Sequence, residues 1–142
     1  METRELAVRL FNGVWELLER PDRTPAEDER MVHMAHASRF HWEEVGAAVN
    51  IARGEWQCSR VYTVVGRAEP ALHHARRVLE VCQDNGIGDF DLGYAYEAMA
   101  RAHAVAGDAD EARDWLAKAR AVDVAEADDR ELLMADLDTI GV

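Results

Sequence analysis

Two ten-residue stretches decide how this chain is read: SRVYTVVGRA at 59–68 and ARAHAVAGDA at 100–109. They align at a spacing of 41 residues: a small residue (Ser59, Ala100), an arginine (Arg60, Arg101), a ring four residues before a glycine (Tyr62, His103), the glycine itself (Gly66, Gly107) and an alanine two residues beyond it (Ala68, Ala109). A further alanine, Ala71 or Ala112, stands five residues after each glycine. Glycine tolerates the positive φ that closes a helix into a turn, and small side chains let two helices cross closely. From Ala52 to Ala119 the chain therefore reads as helix, glycine turn, helix, written twice. One such pair cannot bury its apolar face alone, so a second copy stacked on the first completes the core, and the repeat is a solenoid element.

The same reading extends outward. Thr3 is placed to cap a first helix reaching Arg20, with Leu6, Leu10, Val14 and Leu17 at helical spacing and Phe11, Trp15 and Leu18 beside them. Pro21-Asp22 ends it, and Thr24-Pro25-Ala26-Glu27 is a capping box with proline at the first helical position. Met31, Ala35, Ser38, Trp42 and Val45 line one stripe of the second helix until Gly46, so residues 3–46 form a degenerate first hairpin. Residues 50–85 are the first clear repeat, and Asn85-Gly86-Ile87-Gly88 is the loop that lengthens its period. Residues 90–122 are the second, with Asp108 and Glu111 at the start of its second helix. Asp128 and Glu131 form another capping-box pattern before Leu132, Leu133, Leu137 and Ile140, giving a last helix over 128–140 whose acidic side suits a solvated cap. Nothing alternates with period two, so no strands are expected. The reading is an all-α single domain over 1–142, about three helical hairpins and a C-terminal capping helix.

Small residue, ring, glycine, alanine resembles the helix-turn-helix signature of tetratricopeptide repeats, best preserved in Ala100, Gly107-Asp108 and Ala112. The period is longer than usual, the aromatic near the start of the first helix is Glu55 in one copy and Tyr96 in the other, and no proline closes either unit. The resemblance is to the longer, looser variety of repeat and covers about half the chain. It implies a right-handed α-α superhelix whose first helices line a concave face that holds peptides.

A chain of 142 residues buries roughly 70% of its unfolded surface without staples. Cys58 and Cys82 lie within expected helices and lack a CxxC partner, which suggests reduced, buried thiols in a cytoplasmic protein; no cofactor is called for. No basic-then-apolar leader and no apolar run approaching ~18 residues directs the chain into a membrane. The net charge of −12 argues against nucleic acid, whose phosphates need a basic face. Acids concentrate late, with 11 against 4 bases from Asp108 to Asp138, while Arg53 to Arg77 carries 5 arginines against Glu55 and Glu69. That asymmetry is either a solvated surface or a field steering an acidic partner to the middle of the chain.

If the resemblance carries over, Arg53, Trp56 and Arg60 share a face of the third helix, and Tyr94, Glu97 and Arg101 repeat it on the fifth, with Phe11 and Trp15 extending the groove. Two readings of Arg60 and Arg101 follow. They flank a groove and hold a partner's acidic group or C-terminal carboxylate, since arginine offers a planar fork; or they pair with Glu97 and other acids and hold the hairpins together. The expected function is a protein- or peptide-binding scaffold module.

Two other functions stay open at this level. His33, His36 and His41, followed by Glu43 and Glu44, invite a metal site, structural or hydrolytic, yet His41 is turned away from His36 at a spacing of five, so a site needs help from Glu44 or His73. A homodimer closed by aromatic faces is the third reading. No GxSxG, P-loop, GxGxxG or HExxH is present, so no enzyme is expected.

Overall fold

The computed structural model describes residues 1–142 as seven helices and no strand: α1 (Thr3–Leu18), α2 (Pro25–Val45), α3 (Ala48–Val64), α4 (Ala68–Asp84), α5 (Asp89–Val105), α6 (Ala109–Arg120) and α7 (Ala127–Asp138). The glycine turns form as the repeat implies. Gly66 takes φ +79° and Gly107 φ +82°, and nothing lies within 4 Å of where a Cβ would stand at either, so conformation rather than space requires glycine. The amide of Arg67 donates to the Tyr62 carbonyl (2.9 Å) and that of Gly66 to Thr63 (3.2 Å); Asp108 to His103 (3.0 Å) and Gly107 to Ala104 (3.1 Å) repeat this. Both are the paired bonds of a Schellman turn, which satisfy carbonyls that the helix end orphans.

The small residues sit at the crossings. Ser59, Ala71, Ala100 and Ala112 are fully buried, and the Ser59 hydroxyl donates to the Ala71 carbonyl at 2.9 Å, tying α3 to α4. Consecutive helices pack as pairs, α1 on α2, α3 on α4 and α5 on α6, and the pairs join through α2 with α3 and α4 with α5. Along one side α1 meets α3, α3 meets α5 and α5 meets α7. The core runs through this stack as four clusters, and Trp56 packs against three of them. Each cluster draws on more than one helical pair, which is why one pair alone would leave apolar surface in water.

Two expected caps are corrected. Glu2 is the N-cap of α1, without a side-chain bond, and Thr3 already has helical geometry, so its hydroxyl cannot cap. Likewise α7 starts at Ala127 behind Glu126, which places Asp128 and Asp129 inside the first turn, where the helix dipole favours negative charge, instead of in a capping box. The box at α2 is complete: the Glu27 amide donates to Thr24 Oγ1 at 3.2 Å, and the Thr24 amide to Glu27 Oε1 at 3.1 Å. Asp108 caps α6 by accepting from the Glu111 amide at 3.3 Å. No helix is long and apolar enough to cross a membrane.

Candidate functional site

A groove of about 530 Å³ opens on the side where α1, α3, α5 and α7 follow one another. Helical spacing brings its walls together: Phe11 and Trp15 from α1; Ala52, Arg53 and Trp56 from α3; Phe90, Asp91 and Tyr94 from α5; Asp129, Leu132 and Asp136 from α7. Phe11 with Trp15, Arg53 with Trp56, Phe90 with Tyr94, and Asp129 with Leu132 and Asp136 lie three, four or seven apart, so each set shares a helix face. The rings form a continuous wall. Trp15 stacks on Trp56 with centroids 5.6 Å apart and planes 28° apart, Trp56 meets the Tyr94 ring edge-on at 5.7 Å, and Phe90 lies 4.8 Å from Tyr94. Trp15, Trp56 and Phe90 keep part of their surface in solvent, and Leu132 is 52% exposed.

Of the residues expected to line a groove, Phe11, Trp15, Arg53, Trp56 and Tyr94 are brought together here. Arg60, Glu97 and Arg101 are not; they lie beneath it, packed with Ser59, Thr63 and Ala98 around a space too small for a ligand. Glu97 is 1% exposed and fully engaged: Oε1 accepts from Trp56 Nε1 at 2.7 Å, and Oε2 accepts from Arg101 Nε at 2.6 Å and Arg60 Nη1 at 3.5 Å. Arg101 also donates to the Asp136 carbonyl (3.0 Å) and the Thr139 hydroxyl (2.9 Å). The carboxylate held by the two arginines is thus the chain's own, and their work is to tie α3, α5 and α7 together. Burial and the neighbouring Arg101 guanidinium lower the Arg60 pKa, against which Glu97 acts. Trp56 and Glu97 are 41 residues apart, so the repeat spacing had already marked them as counterparts on neighbouring helices.

The groove itself is acidic. Arg53 is its only basic residue, and it makes a two-bond fork to Asp91 (Nε to Oδ1 2.9 Å, Nη2 to Oδ2 3.1 Å), which holds its pKa above the ordinary value. Asp136 accepts from the Tyr94 hydroxyl; burial first and that contact second push the tyrosine pKa well up. The Asp129 side chain lines the groove without a hydrogen bond of its own, and its charge adds to that of Asp91 on Arg53. Phe90, Asp91, Asp129, Leu132 and Asp136 escaped the sequence reading. The signal for the last three was Asp129, Leu132 and Asp136 at offsets of three and seven on α7, whose acidic side faces the groove as well as solvent.

A second polar cluster lies between α2, α3 and α4. Glu55, 6% exposed, accepts from Arg39 Nε at 3.0 Å and pairs with His74 Nδ1 at 2.6 Å. His36 Nε2 bonds the Tyr62 hydroxyl at 2.9 Å, and its Nδ1 lies 3.8 Å from Cys58 Sγ. Burial pushes the Cys58 thiol far above its ordinary pKa, with Glu55 adding to the effect, and this keeps it from the thiolate form a nucleophile needs. Burial raises the Cys82 thiol to about 11. The three histidines considered for a metal are not brought together: His33 is exposed beside Glu29 (3.7 Å), His36 points inward, and His41 lies against Phe40. No group of three or more His, Cys, Asp or Glu side chains is arranged to hold a metal ion.

No protein-family model, no curated protein and no solved structure matches the chain.

Proposed function

We propose that the helical pairs form a right-handed superhelix of the tetratricopeptide type, and that the face shared by α1, α3, α5 and α7 is the groove of a protein- or peptide-binding scaffold module. The observation that carries this is the unbroken ring wall Trp15–Trp56–Tyr94–Phe90, contributed by α1, α3 and α5, with Trp15, Trp56 and Phe90 partly open to solvent beside an exposed leucine. A volume of about 530 Å³ suits one or two side chains of a partner. Rings in such a setting supply most of the energy of recognition, because they bury much apolar area and lose little conformational freedom.

The test uses Leu132, which faces the groove yet contributes little to the core. Peptides selected from a random library on the wild-type protein are titrated against wild type and Leu132→Ser, with thermal denaturation confirming that both fold alike. The expected result is a loss of about tenfold in affinity. Selected peptides that bind both proteins equally sit elsewhere and remove the groove from the account.

A further inference from the structure

We propose that the occupant of this groove is an extended protein segment carrying two arginine side chains three residues apart. The inference rests on the groove reading above and adds the chemistry of the partner.

The charge of the groove favours a cationic occupant. Three aspartates and one arginine line the groove, and the arginine is forked to Asp91, so the lining keeps a net negative charge carried by Asp129 and by Asp136, one oxygen of which accepts from the Tyr94 hydroxyl. The Asp129 carboxylate makes no hydrogen bond, and its charge reaches Arg53 only at longer range than Asp91 does. Around them, 11 acids against 4 bases from Asp108 to Asp138 extend the same sign over α6 and α7, which draws in a cationic partner and repels an acidic one. Of the five arginines in the chain's middle, Arg53, Arg60 and Arg77 are paired with Asp91, Glu97 and Glu80, and neither Arg67, which lies over the Tyr62 ring, nor Arg76 lines the groove.

The ring wall favours arginine over lysine. Indole and phenol faces attract cations, and the planar guanidinium both stacks on such faces and forks to a carboxylate, which an ammonium does less well. The chain uses this contact elsewhere, with Arg4 5.4 Å from the centre of Trp42 and Lys118 4.2 Å from that of Trp115. In the groove the rings of Trp15, Trp56 and Phe90 have no cation over them.

The spacing of the two aspartates matches an extended segment. Asp129 and Asp136 are seven residues apart on one face of α7, a rise of about 10.5 Å. In an extended polyproline-type segment, side chains three residues apart lie on the same side about 9.3 Å from each other. An Arg-x-x-Arg segment running along α7 therefore sets one guanidinium at each carboxylate, with the intervening residues over Leu132.

The experiment titrates the protein, by tryptophan fluorescence and calorimetry, with a blocked heptapeptide containing Arg-x-x-Arg and with the same peptide carrying citrulline, the neutral isostere, at both positions. Expected are saturable binding of the arginine peptide, at least about tenfold weaker binding of the citrulline peptide, and a five- to tenfold loss for the arginine peptide on Asp129→Asn, whose fold is checked by its thermal transition. Equal binding of the two peptides, or an unchanged affinity of Asp129→Asn, overturns the cationic occupant but leaves the groove standing if Leu132→Ser still weakens both. Binding of neither peptide overturns the proposal as well, and the library-selected peptides then decide the groove on their own.

Discussion

At the scale of single residues, the most consequential group is Glu97. A carboxylate at 1% exposure is tolerated because an indole and two guanidiniums bond it. Arg101→Ala removes the shortest of those bonds and leaves a buried charge half-satisfied, so it is expected to destabilise the fold by about 2–4 kcal/mol in urea denaturation. Arg60→Ala, at 3.5 Å, is expected to cost less than half as much. Equal, negligible costs would mean that Glu97 is not the hub. His36 gives a second expectation. It is faced by Tyr62, Cys58 and Glu55 of α3 and His74 of α4, with His33 and Arg39 on its own helix. Burial first, then His74, lower its pKa below 6.5, with Glu55 opposing. Below pH 6.5 the unfolded chain therefore binds more protons at this site than the folded one, so stability is complete above that pH and falls as pH drops through it, by at most about 1.4 kcal/mol per pH unit. Glu55, whose pKa is also lowered, adds its own loss only below about 4.5. Denaturation at pH 7.5, 6.5 and 5.5 is expected to show the first slope in wild type and not in His36→Gln, which keeps a bond to Tyr62; equal slopes would place the titration elsewhere.

At the scale of elements, the caps and turns make separable contributions. Gly66→Ala and Gly107→Ala place a side chain at φ +79° and +82° in open space, so each is expected to cost about 1–2 kcal/mol from backbone strain alone. Thr24→Ala opens the capping box of α2 and is expected to cost about 1 kcal/mol, whereas Glu126→Ser supplies a side-chain cap that α7 lacks and is expected to stabilise by about 0.5 kcal/mol. Thermal or urea denaturation of the four variants checks signs and order. These elements were the most legible part of the sequence, because Gly66, Gly107 and Thr24 act through local geometry that neighbouring residues specify. The start of α7 was misread for the complementary reason. Asp128 with Glu131 has the letters of a box, but where a helix begins among several acids depends on how Leu133 and Leu137 seat against α5, a contact between distant segments.

At the scale of the whole molecule, the spacing of 41 residues made the pairing of helices readable, and with it the side on which α1, α3 and α5 meet. What it left open was depth. Trp56 and Arg60 are four residues apart on one helix, and sequence places both on the groove face; only the seating of α5 against α3 decides that the indole borders the groove while the guanidinium lies beneath it on Glu97. The contribution of α7 was equally hidden, since an acidic helix side looks the same whether it faces open water or the groove. The four tryptophans report on occupation of the groove, because Trp15 and Trp56 border it while Trp42 and Trp115 lie outside it. The measurement is a ¹H–¹⁵N spectrum of the indole Nε1–H signals during titration with a library-selected peptide. Saturable shifts are expected at Trp15 and Trp56 with Trp42 and Trp115 unmoved; shifts confined to Trp42 or Trp115 under saturating peptide would place the partner outside the groove.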